Sequence, residues 1–194
     1  GTAIINLLNL IGGEKVNAVI PISEYDPNKS LALATDKGLI KKLSLEKLLN
    51  IRKNGLIAIK LNEGDELISV KLTDGNQDLI VVTKEGKAIR FNEKDVREMG
   101  RTARGVKAIS LEDDDEVVAM ELVDDGSHLL VISELGYGKK TDLDEYKTQN
   151  RGGKGLLTYH IREKTGSLVS AKVIDNSDQI MMITNRGTII RLNS

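Results

Sequence analysis

The chain contains no cysteine, no tryptophan and two prolines among 194 residues, and aromatic residues make up 3% of it. The lack of cysteine excludes disulfide crosslinks and thiol catalysis and is compatible with a reducing compartment. The scarcity of aromatic residues argues against single-stranded nucleic acid as the main ligand, because such sites stack bases on aromatic rings. No apolar run approaches the ~20 residues of a membrane-spanning helix, and the N-terminus carries no signal-peptide pattern. We therefore predict a soluble, cytoplasmic chain that has no membrane partner.

Catalytic and metal-binding patterns are also lacking. His128 and His160 are the only histidines, and neither has a metal-ligand spacing. There is no phosphate-binding loop and no nucleophile elbow. The acidic run 112–116 lacks the spaced ligands of a calcium loop, and we interpret it as a solvated turn. The sequence predicts no catalytic residue, no metal and no cofactor in this chain.

One short phrase recurs four times: an apolar strand, Thr or Ser-x-x-Gly, and a second strand with a cation four residues after the glycine. The glycines are Gly38, Gly86, Gly136 and Gly187, at spacings of 48, 50 and 51 residues. Such a period is typical of propeller blades. Each phrase predicts a hairpin in which the hydroxyl bonds the turn backbone and glycine supplies a positive φ.

Further strands complete each repeat. Gly55, Gly105 and Gly155 each lead into an alternating apolar segment, predicted as the last strand of its unit, and an acidic turn with another strand follows. Short helical turns are predicted at 44–49 and 92–98, and the apolar strand 79–82 is expected to be covered on both faces. We predict an all-β, propeller-like disc of roughly four-stranded blades.

The unit boundaries follow from the glycine phrases. We predict a single domain over 1–194 with units at approximately 1–14 (the closing strand of a preceding unit), 15–63, 64–113, 114–163 and 164–194 (incomplete). If the array curves enough for its ends to meet, the strand at the start would complement the half unit at the end, which would give about four blade equivalents.

Charge is unevenly distributed. The net charge of −1 argues, taken alone, against a nucleic-acid binder. However, residues 112–125 hold eight acids and no base, whereas 137–164 hold seven bases and four acids. Basic residues recur near the same turn or just before the same glycine, so stacked blades would place them along one edge. Wrapping of duplex DNA requires such an edge, because it depends on phosphate contacts and DNA deformability rather than on a base code. The candidate phosphate ligands are Lys41, Lys42, Arg52, Lys53, Lys87, Arg90, Arg101, Arg104, Lys139, Lys140, Arg151, Lys154, Arg186 and Arg191.

The segment 149–155 reads Gln-Asn-Arg-Gly-Gly-Lys-Gly. Its glycines, Gly152, Gly153 and Gly155, allow close approach of the backbone to a phosphate that Arg151 and Lys154 neutralise. The heptapeptide resembles the box motif of the C-terminal DNA-wrapping domain found in the A subunit of DNA gyrase, from which it departs at the second residue. The phrases 136–141 and 101–105 are also typical of that family, and the resemblance covers essentially the whole chain. It adds Gln149 and the three glycines to the candidate DNA-binding residues.

The resemblance implies a β-pinwheel, a disc whose blades exchange a strand with their neighbours and whose basic perimeter wraps duplex DNA. It implies a non-catalytic module of an ATP-dependent type II topoisomerase that supports negative supercoiling by the holoenzyme. The cleaving tyrosine, the ATPase and the Mg²⁺ would lie outside this chain. The implied partners are double-stranded DNA, the remainder of the A subunit of gyrase and the B subunit of gyrase in a heterotetramer, at the nucleoid in the bacterial cytoplasm.

Several alternatives remain open. The family's principal box lies in its first blade, whereas here the motif follows two complete units. We favour a later, box-like copy with the main box upstream of Gly1 over a different blade order. The C-terminal domain of the A subunit of topoisomerase IV shares the fold but has a degenerate box and weaker wrapping. A propeller scaffold for protein interactions would share the repeats without cations at matched positions.

Overall fold

The computed structural model describes residues 1–3, 16, 19–21, 26–49, 51 and 56–193. Within these ranges the chain forms β-strands and short 3-10 turns and no α-helix, so the all-β prediction is confirmed. The strands are β1 Ser30–Thr35, β2 Leu39–Ser44, β3 Leu67–Thr73, β4 Asp78–Thr83, β5 Lys87–Asn92, β6 Val106–Lys107, β7 Val117–Leu122, β8 His128–Ser133, β9 Gly138–Asp142, β10 Leu156–Leu157, β11 Leu168–Ile174, β12 Gln179–Ile183 and β13 Ile189–Asn193.

The four recurring phrases form antiparallel hairpins, as predicted. Their turn glycines all have positive φ, with values of 88°, 90°, 87° and 84° at Gly38, Gly86, Gly136 and Gly187. In the first hairpin the Thr35 hydroxyl accepts a hydrogen bond from the Leu39 amide at 3.2 Å, and in the second Thr83 accepts from Lys87 at 3.0 Å. The local chemistry of the phrase therefore determines each turn.

The hairpins lie in four antiparallel sheets, which we call blades. Blade 1 has the strand order β3-β1-β2-β6, and blade 2 has the order β10-β5-β4-β7. Blade 3 contains β11-β8-β9, and blade 4 contains β12-β13. The predicted four-stranded blades are present in blades 1 and 2.

Strands are exchanged between units. The hairpin of blade 1 lies at 30–44, whereas its two flanking strands, β3 and β6, come from the segment 67–107 that also contains the hairpin of blade 2. Blade 2 repeats this relation, since β7 and β10 flank the hairpin formed by β4 and β5. A sequence repeat is thus divided between two successive blades, and the flanking strands tie each blade to the next.

The core lies between successive blades. Residues 79–82 are completely buried, but alternate side chains face opposite ways. Leu79 and Val81 pack with residues of blade 1, whereas Ile80 and Val82 pack with residues of blade 3. The central strand is covered on both faces, as predicted from its continuous apolar sequence.

Both predicted helical turns are present as single 3-10 turns, at Leu45–Leu48 and Glu93–Asp95. The Ser44 hydroxyl accepts from the Glu46 amide, and the Asn92 side chain accepts from the Lys94 amide. These side chains satisfy turn amides that lack a backbone acceptor, the usual role of Ser and Asn before a helical turn.

Two predicted strands, one after Gly55 and one within 1–14, are not found among the described residues. The predicted closing strand after Gly55 is wrong for residues 56–61, which form no strand. Its counterparts β6 and β10 each pair with a hairpin strand of the preceding unit, β2 and β5. The predicted strand within 1–14 lies outside the described residues, apart from 1–3.

No helix among the described residues has the length and apolarity to cross a bilayer.

Candidate nucleic-acid interface

The loop 149–155, which we call the glycine loop, lies against blade 2 and against the residues that follow β6. The Gln149 amide donates to the Arg90 carbonyl at 2.8 Å. The Gly152 amide donates to the Ala108 carbonyl at 2.7 Å. Ser110 donates twice, from its amide to the Gly153 carbonyl at 2.9 Å and from its hydroxyl to the Gly152 carbonyl at 2.7 Å. The loop therefore has a defined path on the preceding unit.

A second loop, 99–105, occupies the equivalent position one blade earlier. The Met99 amide donates to the Lys42 carbonyl at 2.9 Å, as Gln149 does to Arg90. Gly105 and Gly155 both have positive φ, 100° and 70°, and both lie close to a carbonyl of the preceding hairpin. Successive units thus present the same loop at the same place relative to successive blades.

The exposed side chains of these loops are polar or basic. Gln149 and Lys154 are exposed in the glycine loop, and Arg104 is exposed in the earlier loop, where it donates to the Asn62 side chain. Arg104 and Lys154 each directly precede the glycine of close approach. The repeat therefore places one exposed cation at the same point of two successive junctions.

Arg151 is half-buried and is engaged by the protein itself. Its Nε donates to the Asp95 carbonyl at 3.0 Å, and its Nη1 donates to the Lys107 carbonyl at 3.0 Å. These two hydrogen bonds to main-chain oxygens hold the Arg151 guanidinium against the preceding unit. Arg151 thereby attaches the glycine loop to that unit.

The structure corrects the prediction for Lys41, whose side chain is fully buried at 0% exposure. Its Nζ donates to three carbonyls, of Ala58 at 2.6 Å, Arg101 at 2.8 Å and Ala103 at 3.2 Å. Burial, and secondarily the nearby charge of Arg101, lowers the pKa of Lys41. An ammonium enclosed in this way does not reach a phosphate, and Lys41 instead holds the 99–105 loop.

Lys42 is also removed from the candidate phosphate ligands. It is 9% exposed, and its Nζ donates to the Glu93 carbonyl at 3.2 Å and lies 3.7 Å from Oε1 of the same residue. The Glu93 side chain is fully buried. This cation joins the hairpin of blade 1 to the 3-10 turn that follows the hairpin of blade 2.

Arg90 occupies the position of Lys42 one unit later and makes the equivalent contact. Its Nη1 donates to the carbonyls of Leu143 at 3.1 Å and Tyr146 at 3.5 Å, in the next 3-10 turn. Its Nε donates to Oδ2 of Asp78 at 2.8 Å. The cation four residues after the turn glycine therefore joins blades at two junctions, where Arg90, like Lys42, binds carbonyls of the following unit.

Asp78 is the acceptor at the centre of this contact. Burial alone would raise its pKa, but hydrogen bonds from Arg90, Asn92 and Thr148, together with the charge of Arg90, outweigh burial and hold the pKa below its ordinary value. The carboxylate is therefore ionised throughout the neutral range and available to all three donors.

The other candidates occupy different environments. Lys139 and Lys140 are exposed and lie on β9, where they donate to the Thr158 carbonyl at 3.4 Å and to the Asn176 side chain at 3.1 Å. Lys87 and Arg101 are half-buried, and Arg186 and Arg191 are exposed in blade 4. Arg52 and Lys53 lie outside the described residues.

Two aspartates with a structural role were not predicted. The Asp115 side chain is buried, and its Oδ1 accepts from the amides of Glu85 at 3.0 Å and Glu116 at 2.8 Å. Asp65 accepts in the same way from Lys37 at 3.1 Å and Glu66 at 3.0 Å. Asp115 is thus an exception to the solvated-turn interpretation of 112–116. Each aspartate follows Gly55 or Gly105 by ten residues, a repeated spacing that could have revealed the role.

A cavity of about 340 Å³ opens beside β9. Its lining residues include Leu157, Thr158 and His160, which correspond by repeat to Lys107, Ala108 and Ser110. Those three residues carry the glycine loop on the preceding blade, as described above. By repeat, the cavity therefore lies at the position that corresponds to the contact of Lys107, Ala108 and Ser110 with the glycine loop.

These antiparallel blades, which exchange strands and receive a glycine loop from the following unit, define a β-pinwheel of the propeller class. A family model described as DNA gyrase C-terminal domain, beta-propeller, matches residues 29–74, 77–124, 127–175 and 178–194. The chain belongs to the family of DNA gyrase C-terminal domains.

Individual relatives agree with this assignment. The DNA gyrase A subunit of Clostridium acetobutylicum is 58% identical over 193 residues, covering 100% of this chain and 23% of the relative. The DNA gyrase A subunit of Escherichia coli is 39% identical over 191 residues, covering 98% of this chain and 22% of the relative. The chain thus spans less than a quarter of the length of these curated relatives.

Two solved structures share the fold. A DNA gyrase A C-terminal domain superposes with a TM-score of 0.87 at 29% identity, covering 98% of this chain and 64% of that one. The C-terminal domain of a DNA topoisomerase IV superposes with a TM-score of 0.91 at 28% identity, covering 100% of this chain and 61% of that one. The predicted resemblance to the gyrase family and the predicted β-pinwheel are confirmed.

Proposed function

We propose that the chain is a non-catalytic module that binds and wraps duplex DNA, and that it does so as part of the A subunit in the gyrase holoenzyme. The observation that carries this proposal is the repeated seating of a cation-bearing loop at successive blade junctions, with Arg104 and Lys154 exposed beside Gly105 and Gly155. Equivalent cations spaced one blade apart suit a DNA backbone that follows the edge of the blades.

The chemistry needed for wrapping is modest. Phosphate contacts release counterions, and a bent duplex repays its deformation energy through additional contacts along the curved path. Base recognition is not required. Exposed cations at the junctions, such as Arg104 and Lys154, are suitable donors for this binding mode.

In the holoenzyme, a DNA segment wrapped with fixed handedness would be presented to the cleavage core, so that ATP-driven strand passage introduces negative supercoils. The remainder of the A subunit, the B subunit, ATP and Mg²⁺ would supply the chemistry, and the chain itself would need no cofactor. The relatives named above are gyrase subunits, which favours this function over topoisomerase IV and over a protein-interaction scaffold.

Binding is tested by titrating the chain with linear duplex DNA of wrapping length at several salt concentrations. We expect affinity to fall steeply with salt, and the slope to shrink by about 0.9 for each phosphate contact removed. The variant Arg104→Ala/Lys154→Ala should show a shallower slope. The control Lys47→Ala/Lys172→Ala removes two exposed cations outside the loops and should leave the slope nearly unchanged. Equal slopes for all three proteins would contradict the assignment of these loops.

Wrapping itself needs a topological measurement. Nicked circular DNA sealed by ligase in the presence of the chain should acquire a change in linking number, because a wrapped segment fixes writhe when the circle closes. DNA that is bound with a steep salt slope but sealed without such a change would mean binding without wrapping.

A further inference from the structure

We propose that Asp78 and Arg90 of blade 2 are positioning residues that hold the entry of the glycine loop, so that the loop's exposed side chains meet DNA at a fixed place. This inference rests on the proposed function, because it names residues that act on DNA only through the loop. It also replaces the direct role predicted for Arg90 with an indirect one.

The Asp78 carboxylate accepts hydrogen bonds from three donors on both sides of the junction. Its Oδ2 accepts from Arg90 Nε at 2.8 Å and from the Thr148 hydroxyl at 2.8 Å, and its Oδ1 accepts from Asn92 Nδ2 at 2.9 Å. Thr148 directly precedes Gln149, where the glycine loop begins. One carboxylate therefore joins blade 2 to the loop entry.

Arg90 binds the segment 143–149, which leads into the glycine loop, through both its side chain and its carbonyl. Its guanidinium reaches the carbonyls of Leu143 and Tyr146, and its own carbonyl accepts from the Gln149 amide at 2.8 Å. The Asp78 and Arg90 side chains retain 15% and 20% of their exposure, so these bonds are largely shielded from water. Charge-assisted bonds of this kind are among the stronger ones in proteins.

The middle and the exit of the loop are held by other groups. Ala108 and Ser110 bind Gly152 and Gly153, and Gly155 lies against the Ala88 carbonyl. Loss of the Asp78 contacts should therefore free the loop entry while the later anchors and the blade cores remain. The effect of Asp78 on the loop entry can therefore be measured separately from the stability of the rest of the fold.

The preceding junction has the same arrangement with different chemistry. Ser30 and Lys42 correspond by repeat to Asp78 and Arg90. Ser30 donates to Glu98 Oε1 at 2.9 Å, and Glu98 corresponds to Thr148. Two different sets of side chains make the same connection, which indicates that the repeat requires the connection at each junction.

The deciding variant is Asp78→Asn, because it separates positioning from simple electrostatics. It removes one negative charge, which by itself favours binding to a polyanion. Positioning predicts the opposite: affinity for wrapping-length duplex at fixed salt falls by about tenfold, the equivalent of one charge-assisted hydrogen bond. The matched control is Glu145→Gln, the same charge change at an exposed residue of the adjacent 3-10 turn, which should bind as tightly as wild type or more tightly.

Two substitutions of Arg90, one that keeps the positive charge and one that removes it, test the same positioning role. Arg90→Lys keeps a cation, as the equivalent Lys42 does at the preceding junction, and should retain most of the affinity. Arg90→Met should lose as much as Asp78→Asn. A phosphate ligand would behave differently, since Asp78→Asn would then have no defect and Arg90→Met alone would reduce the salt slope by about 0.9.

Hydrogen exchange gives a readout that needs no DNA. In Asp78→Asn the amide of Gln149 should exchange faster, while those of Gly152, β4 and β8 keep their wild-type rates. Wild-type affinity or tighter binding in Asp78→Asn, or uniformly faster exchange in every strand, would overturn the positioning role. A wild-type chain without salt-dependent DNA binding would instead refute the proposed function, and the exchange experiment would still decide whether Asp78 orders the loop.

Discussion

A Cβ atom built on Gly155 would lie 2.5 Å from the carbonyl oxygen of Ala88. The same relation recurs one unit earlier, where a Cβ on Gly105 would lie 2.6 Å from the Ile40 carbonyl. A side chain at either position would clash with the main chain of a neighbouring strand. These glycines therefore allow the loop of one unit to reach the hairpin of the unit before it.

Gly155→Ala should destabilise the chain by about 2 kcal/mol or more, because it adds a main-chain clash to an unfavourable φ of 70°. Gly152→Ala is the matched control. Its φ is also positive, at 84°, but the nearest atom to the added Cβ lies 3.5 Å away, so backbone strain alone should cost about 1 kcal/mol. Urea denaturation measures both, and equal losses would contradict the clash.

Asp78 should stabilise the fold in a pH-dependent way. Since its pKa is lower in the folded chain than its ordinary value of 3.8, its contribution is present above that value and is lost as pH falls through the folded pKa. Wild type should therefore be more stable than Asp78→Asn at pH 7, with a gap that narrows below about pH 4. Chemical denaturation from pH 7 to 3 measures this gap, and a gap of constant size would rule out the ionised carboxylate as its cause.

Asp65 should show the opposite dependence. Burial, followed by the neighbouring Asp36 carboxyl, raises the pKa of Asp65, and its Oδ2 atom is buried without a hydrogen-bond partner among the described residues. The stabilising contribution of a group with a raised pKa is present below the unfolded value of 3.8 and is lost as pH rises through the folded pKa. Asp65→Asn keeps an oxygen for the amides of Lys37 and Glu66 and should equal or exceed wild-type stability at pH 7. A loss above about 1 kcal/mol would refute this expectation.

Lys41 and Lys154 should separate stability from DNA binding. Lys41→Ala removes three buried hydrogen bonds and the packing of a long side chain, so we expect a loss of about 2–4 kcal/mol. Lys154→Ala alters an exposed residue and should change stability by less than about 0.5 kcal/mol. In DNA titrations the salt slope should shrink by about 0.9 for Lys154→Ala alone. A normal fold stability in Lys41→Ala would contradict its buried role.

Asp115→Ala should cost about 1–2 kcal/mol, because the amides of Glu85 and Glu116 lose their acceptor. Asp113→Ala, at an exposed position two residues earlier, should be nearly neutral. Thermal unfolding of the two variants tests this difference. Equal melting temperatures would mean that Asp115 belongs, with its neighbours, to a solvated turn.

The hairpins, their turns and the period of the repeat are specified by the amino-acid sequence alone. The turns depend on contacts between residues at most four apart, such as the Thr35 hydroxyl with the Leu39 amide and the Ser44 hydroxyl with the Glu46 amide. Each hairpin then pairs two strands that are adjacent in sequence. The continuous burial of 79–82 was also predictable, since a strand without polar residues must be covered on both faces.

Which cations face solvent depends instead on contacts between blades. Lys41 and Arg90 occur at repeated basic positions, as Arg104 and Lys154 do. The first two donate to carbonyls that lie 17 to 62 residues away in sequence, whereas Arg104 and Lys154 are exposed. Those acceptors come close because the flanking strands of one unit join the blade of the unit before it. A cation's position in a repeat therefore predicts where it lies, but the carbonyls of the neighbouring blade determine whether it remains available to DNA.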